Sequence, residues 1–117
     1  MRKRLRLTTR DQFVAVYESG MTQIDRLLVV KVRENGLDIS RLGYSVTKSV
    51  GKAVVRNRVK RLLKEVTRIM MIKPGFDIVF IARSSCADAN YNQILHSVGD
   101  LLKRMRVLVD NNEAVGA

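Results

Sequence analysis

The sequence predicts an α+β fold, a two-layer α/β sandwich in which helices pack against one sheet, and three observations support this class. Its 117 residues are 46% apolar, which suits a single compact domain with one core. Apolar, β-branched segments typical of strands occur at 27–33, 39–47 and 76–82. Segments with the 3.6-residue period of amphipathic helices precede, separate and follow them. We therefore predict the order α-β-β-β-α-β-α within one domain, residues 1–117.

The first predicted helix spans about 9–19. Thr9 can cap its N-terminus, and Gln12 stands three residues later, where a capping box needs it. Apolar residues then recur on one face until Gly20, which ends the helix. A short extra strand is predicted near 21–24.

The next two strands are predicted to pair with each other. "LLVVKVR" (27–33) and "ISRLGYSVT" (39–47) flank Asn35-Gly36, a dipeptide typical of tight hairpin turns. The sequence therefore predicts two antiparallel strands joined by a hairpin.

The second half alternates helix, strand and helix. The 3.6-residue period runs from Ala53 to about Met71 and stops before Pro74. "FDIVFIA" (76–82) is a near-continuous apolar run, which indicates a central strand covered on both faces. The last helix carries an apolar stripe at positions 91, 94, 95, 98, 101, 102 and 105. The tail 110–117 has no periodicity and is expected to be disordered.

The charge balance narrows the class of partner. Twenty-two Lys and Arg against eleven Asp and Glu give a net charge of +11, which favours a phosphate-rich partner such as nucleic acid. No apolar run approaches the roughly 18–20 residues that span a bilayer, and the N-terminus lacks the apolar stretch of a signal peptide. We expect a cytoplasmic protein with no membrane partner and no evident protein partner.

Catalytic or cofactor-binding groups are scarce. Cys86 is the single cysteine and His96 the single histidine, so neither an intramolecular disulfide nor a zinc cluster of the usual Cys/His spacing is expected. The acidic residues are scattered singly, whereas protein nucleases generally need clustered carboxylates or a histidine pair. We interpret His96 as an exposed residue and Cys86 as an inert thiol, and we expect no organic cofactor.

The helix at 53–71 has one apolar and one cationic face. At 100° per residue, five apolar side chains fall within about 100° of one another. These are Val55, Val59, Leu62, Leu63 and Val66. Charged helix faces are usually just solvated, but like charges four residues apart, as in Arg56, Lys60 and Lys64, repel each other. The excess of cations on this face therefore indicates a polyanionic partner.

Three separated segments carry a family resemblance. "SVTKSVGKAVVRNRVKRLLKE", with its Arg-Asn-Arg core, resembles the signature of the bacterial ribonuclease P protein subunit. "RLRLTTRDQFVAVYESG" and "FDIVFIAR" are similar to the N-terminal segment and the late strand of the same family. The resemblance covers about residues 4 to 106, in matching order and spacing.

The resemblance implies a fold and a function. The fold includes an unusual left-handed βαβ crossover, although the general rule is right-handed. The function is to bind the catalytic RNA and the single-stranded 5′ leader of precursor tRNA, and to assist endonucleolytic removal of the leader. Mg²⁺ held by the RNA subunit performs the hydrolysis. The protein is then one component of an endoribonuclease and has no catalytic residue of its own.

The resemblance also implies two sets of RNA-binding residues. The set facing the catalytic RNA comprises Lys52, Arg56, Asn57, Arg58, Lys60, Arg61 and Lys64. The set lining the groove for the 5′ leader comprises Phe13, Tyr17, Ser45, Thr47 and Lys48. At two positions the chain departs from the common pattern, with Tyr17 where Phe is frequent and Ser49 where a second basic residue is frequent. Stacking survives the first change, whereas the second weakens the positive charge of the groove.

Three alternatives stay open at this point. From spacing alone, Phe13 and Tyr17 are better explained as a pair that anchors a helix to the core, a preference that the resemblance reverses. The basic arm at residues 1–7, which carries Arg2, Lys3, Arg4 and Arg6, is either a disordered tail or an RNA-contacting segment. Composition alone fits a non-enzymatic structured-RNA-binding protein, such as a small ribosomal protein, equally well.

Overall fold

The computed structural model describes residues 4–109, which form a mixed α+β fold, as predicted. Its elements are β1 (Arg4–Arg6), α1 (Arg10–Ser19), β2 (Met21–Ile24), β3 (Leu28–Glu34), β4 (Ser40–Ser45), α2 (Ala53–Arg68), β5 (Phe76–Ala82), a short 3-10 helix (Ser84–Asp88) and α3 (Tyr91–Arg104). The predicted tail at 110–117 lies outside the described residues, as do Arg2 and Lys3 of the basic arm.

The five strands form one sheet in the order β1-β4-β5-β3-β2. The strand β5 pairs antiparallel with β3 over seven residues and parallel with β4 over five. Its residues Ile78, Val79 and Phe80 are fully buried, although successive side chains point to opposite faces of the sheet. The prediction that this apolar run is a central strand is therefore confirmed.

The predicted hairpin between β3 and β4 is wrong, because β5 lies between them. The connecting loop crosses the start of β5 instead of closing a tight turn. The Asn35 amide donates to Asp77 Oδ1 at 2.9 Å and to the Ile39 carbonyl at 3.1 Å, and the Asn35 N–H donates to the Gly75 carbonyl at 2.9 Å. The long pairing of β3 with the apolar strand β5 thus outweighs the local turn signal.

Part of the predicted basic arm forms the edge strand β1. Its three residues pair in parallel with β4, with Arg4 opposite Ser40 and Arg6 opposite Leu42. The next residue, Leu7, is buried, and its N–H donates to the Leu42 carbonyl at 2.9 Å. Residues 4–7 are therefore tied to the sheet, and the alternative of a disordered tail does not hold for them.

The main core lies between the sheet and the helices α2 and α3. Its fully buried members include Leu28, Leu63, Phe80, Ile94 and Leu101. The predicted apolar faces of both helices point into it. The helix α2 connects the parallel strands β4 and β5, which is the place that the resemblance implied. The left-handed sense of this crossover stays a prediction.

The helix α1 packs on the opposite face of the sheet, over a small core. The buried members of this small core are Leu7, Val16 and Val79, and Phe13 and Ile81 pack against them. The two-layer description therefore fits the sheet with α2 and α3, and α1 adds a partial third layer. An amphipathic pattern predicts that a helix face is buried, but it carries no information on which face of the sheet covers it.

Candidate nucleic-acid interface

The start of α1 is fixed by a capping box, as predicted. The Gln12 N–H donates to Thr9 Oγ1 at 3.2 Å, and the Thr9 N–H donates to Gln12 Oε1 at 3.2 Å. One residue later, the ring of Phe13 lies directly over Gly43 of β4. A Cβ atom at Gly43 would be only 2.8 Å from two ring carbons of Phe13. A larger residue at this position would therefore force the ring of Phe13 to move away from the sheet.

The two aromatic side chains of α1 have different environments. Phe13 is half-buried against the small core, whereas Tyr17 is 40% exposed. Their ring centroids are 6.4 Å apart and the rings are tilted by 57°. Phe13 therefore contacts the small core, as the core-anchor alternative predicts, and Tyr17 is the more exposed ring of the pair.

The other predicted groove residues lie at the end of β4. Ser45 is the last residue of that strand, two positions after Gly43, so it points to the same face as Phe13. Ser45 is paired with Ile81 on the adjacent strand β5, and Ile81 packs against the small core. Thr47 and Lys48 are exposed in the turn that follows, where Thr47 Oγ1 and Ser49 Oγ are 2.9 Å apart. The structure thus brings Ser45 onto the α1 face and leaves Thr47 and Lys48 at its edge.

A cationic face covers the side of α2 opposite its buried stripe of Val59, Leu63 and Val66. Its predicted members differ in exposure. The exposed ones are Lys52, Asn57 and Arg61, and the half-buried ones are Arg56, Arg58, Lys60 and Lys64. Asn57, Arg61 and Lys64 recur at three- and four-residue spacings, which places them side by side along the helix.

Arg58 also ties α2 to the 3-10 helix. Its Nη2 donates to the Ala89 carbonyl at 2.6 Å and its Nη1 to the Ala87 carbonyl at 3.2 Å. The helix wheel correctly places Arg58 at the margin of the apolar stripe, but it cannot predict partners 29 and 31 residues away. Arg58 therefore contributes to the fold as well as to the cationic face. At the other margin, Arg56 Nε is buried and has no hydrogen-bond partner among the described residues.

Sequence reasoning missed a buried carboxylate on the α1 face. Asp77 accepts hydrogen bonds from Arg41 Nε at 2.8 Å and Nη2 at 2.7 Å, and Arg33 Nη1 lies 3.8 Å from Asp77 Oδ2. Burial alone raises the pKa of Asp77, but hydrogen bonds from Arg41 and Asn35 and both guanidinium charges outweigh it and lower the pKa below its ordinary value. The lone acidic residue inside "FDIVFIA" was the signal for this cluster.

Cys86 and His96 occupy opposite environments. Cys86 is fully buried, and burial, followed by the charge of Asp25, raises the pKa of its thiol to about 11. The thiol is therefore protonated at neutral pH. His96 is exposed, as predicted. Across residues 4–109, no three His, Cys, Asp or Glu side chains lie together in a way that could hold a metal ion. In the same range, no helix is long and apolar enough to cross a bilayer.

Comparisons with known proteins agree on one family. A family model described as Ribonuclease P matches residues 1–106. The ribonuclease P protein component of Clostridioides difficile is 46% identical over 100 residues, which cover 83% of this chain and 88% of that protein. The ribonuclease P protein component of Alkaliphilus oremlandii is 41% identical over 105 residues, with coverages of 88% and 92%.

Solved structures show the same similarity. The RNase P protein of Staphylococcus aureus matches with a TM-score of 0.83 and 34% identity, covering 92% of this chain and 100% of that one. The RNase P protein of Thermotoga maritima matches with a TM-score of 0.77 and 35% identity, with coverages of 85% and 96%. Sequence and fold are thus similar to the same set of proteins.

Proposed function

The chain belongs to the ribonuclease P protein family, and we propose that it works as the protein subunit of ribonuclease P, the endoribonuclease that matures the 5′ end of tRNA. Its partner is the catalytic RNA, and its site of action is the cytoplasm. The observation that carries this proposal is the cationic face of α2, which lies within the matched segment and opposite a fully buried stripe. Neutralising RNA phosphates with such a face releases counterions, which drives binding and makes it salt-dependent.

The second part of the proposal concerns the substrate. The α1 face of the sheet carries a surface that we name the leader groove, formed by Phe13, Tyr17, Ser45, Thr47 and Lys48. Sequence-tolerant binding of single-stranded RNA combines aromatic stacking with a positive groove. The exposed ring of Tyr17 supplies the stacking surface, and Lys48 contributes positive charge to the groove. We assign the 5′ leader of precursor tRNA to this groove.

The reaction itself is assigned to the RNA subunit. The Mg²⁺ ions that the family implies supply the hydrolytic chemistry, and the described side chains offer no cluster that fits such an ion. This chain's residues bind and orient: α2 holds the catalytic RNA, and the leader groove fixes the single strand beside it. Its side chains are therefore assigned to binding and not to proton transfer or metal-dependent chemistry.

The direct test is reconstitution. Purified protein is added to the catalytic RNA at low Mg²⁺, with precursor tRNA substrates that carry or lack a 5′ leader. We expect the protein to increase the cleavage rate, with a larger gain for the substrate with a leader. The non-enzymatic alternative, a small ribosomal or similar RNA-binding protein, predicts no increase and equal affinity for unrelated folded RNAs.

A further inference from the structure

A cavity between the β2–β3 turn and the first turns of α3 lies outside both predicted RNA-binding sets. It has a volume of about 440 Å³, which falls within the roughly 300–1,000 Å³ typical of small-molecule sites. We name it the α3 pocket. Its buried and half-buried lining includes Asp25, Leu27 and Ser97, and its exposed lining includes Arg26, Asn92 and His96.

The inner side of the pocket is held by a hydrogen-bonded carboxylate. Asp25 Oδ1 accepts the N–H groups of Leu27 and Leu28, both at 2.9 Å, and Asp25 Oδ2 accepts a hydrogen bond from Ser97 Oγ at 2.6 Å. Burial raises the pKa of Asp25, but the hydrogen bonds from Ser97, Leu28 and Leu27 outweigh it and lower the pKa below its ordinary value. The carboxylate therefore ties the turn to α3, and the buried Leu27 adds an apolar surface beside it.

The outer side of the pocket offers hydrogen-bond donors. Asn90 and Gln93, which also line it, form the capping box of α3. Asn90 Oδ1 accepts the Gln93 N–H and Gln93 Oε1 accepts the Asn90 N–H, both at 2.9 Å. The helix thus uses both amide oxygens, which leaves the NH₂ group of each amide as a donor for a ligand. Asn92 and His96 are four residues apart, so they lie on the same side of the helix.

This combination of side chains matches the chemistry of a nucleobase. Unpaired RNA bases stack on the planes of His or Arg side chains and form hydrogen bonds along their edges. His96 and Arg26 are exposed planar groups of this kind, and Asn92 carries an amide that can pair with a base edge. A phosphate fits less well, because the one arginine of the pocket stands beside the carboxylate of Asp25.

The position of the pocket indicates which RNA it meets. Asn90 directly follows Ala89, whose carbonyl accepts a hydrogen bond from Arg58 Nη2 at 2.6 Å. This bond holds the start of α3 next to the helix α2, which carries the cationic face. The leader groove lies with α1 on the other face of the sheet. We propose that the α3 pocket binds one unpaired nucleobase of the catalytic RNA, an inference that rests on the function proposed above.

The test uses Asn92→Ala and His96→Ala. Ser84→Ala is the matched control, because Ser84 is exposed and polar but does not line the pocket. After thermal melting shows that each variant is folded, its affinity for the catalytic RNA alone is measured over a range of salt concentrations. We expect each pocket variant to bind roughly five- to tenfold more weakly, as for the loss of one base contact. Asn92→Ala removes no charge and should keep the slope of log K against log salt. His96→Phe keeps a ring for stacking and should recover part of the affinity.

Chemical probing of the bases of the catalytic RNA gives a second readout. The unmodified protein should protect one unpaired base that becomes reactive again with His96→Ala and stays protected with Ser84→Ala. Affinity and protection that are the same for all variants overturn the proposal. A loss that appears only with the leader of precursor tRNA overturns the assignment to the catalytic RNA. Failure of the proposed function looks different, because the unmodified protein then shows no preference for the catalytic RNA over unrelated folded RNAs.

Discussion

The two faces of the sheet differ in how much of each is buried. On one face, α2 and α3 enclose the main core, which contains most of the large, fully buried side chains. On the other face, α1 alone covers the small core around Val16 and Val79, and Tyr17 stays exposed beside it. The first face therefore supplies most of the stability, and the cationic face of α2 lies on its outer side. The second face has the smaller core and carries the proposed leader groove.

The largest expected difference between the faces is in stability. Phe80 is fully buried in the main core and stacks on Tyr44 with centroids 5.7 Å apart. Phe80→Ala should lower the free energy of unfolding by about 3–5 kcal/mol, since it removes a large buried side chain and leaves a cavity. Phe13→Ala should cost clearly less, because Phe13 is only half-buried. Urea unfolding measures both variants, and equal losses would contradict the difference between the two cores.

The Asp77 cluster stabilises the α1 face in a pH-dependent manner. Asp77→Ala should lower the free energy of unfolding by about 3 kcal/mol at pH 7, because it leaves Arg41 without its partner. The folded-state pKa of Asp77 lies below its ordinary value of 3.8. The stabilisation is therefore complete well above that value and is lost as the pH falls through the folded-state pKa.

Urea unfolding of both proteins at pH 7 and near pH 3 tests this dependence. The gap between the unmodified protein and Asp77→Ala should narrow at acidic pH. A gap of the same size at both pH values would show that the carboxylate charge does not account for the stabilisation.

A smaller effect is expected where α1 touches the sheet. Gly43→Ala places a methyl group against the ring of Phe13, so it should destabilise by about 1–3 kcal/mol and displace the aromatic side of the proposed leader groove. Gly99→Ala is the matched control, because its methyl group would lie 3.7 Å from Met70 Cε, an ordinary contact distance, within a helix that favours alanine. Unfolding and leader-RNA titrations should change for Gly43→Ala alone. If Gly43→Ala leaves the affinity for leader RNA unchanged, Phe13 does not belong to the leader groove.

The sequence predicts the elements of this fold better than their arrangement. The capping box of Thr9 and Gln12, the apolar stripe of α2 and the run of β5 are local signals, and all three are confirmed. The partner of β3 is not a local property. Asn35-Gly36 favours a hairpin, but pairing with a strand more than 40 residues later stabilises the sheet more.

In the candidate site, too, the sequence predicts features set within one segment but not contacts between distant segments. Spacing correctly separates the buried and cationic faces of α2, because both follow from helix geometry. The carbonyl partners of Arg58, the cluster around Asp77 and the neighbours of Arg6 all come from distant segments. A pattern within one segment could not reveal them.

The central claim is that the two sides of the molecule bind two different RNAs, and one paired titration tests it. Tyr17→Ala and Arg61→Ala both change exposed side chains, so their stabilities should stay within about 0.5 kcal/mol of the unmodified protein. Each variant is titrated with the catalytic RNA alone and then, as holoenzyme, with precursor tRNA that carries or lacks the leader.

Tyr17→Ala should lose about 1–3 kcal/mol of leader-dependent affinity and keep its affinity for the catalytic RNA. Arg61→Ala should weaken binding of the catalytic RNA, reduce the salt slope by about one and leave the leader-dependent difference intact. If both variants weaken both interactions to the same extent, the separation of the two RNA-binding faces is contradicted.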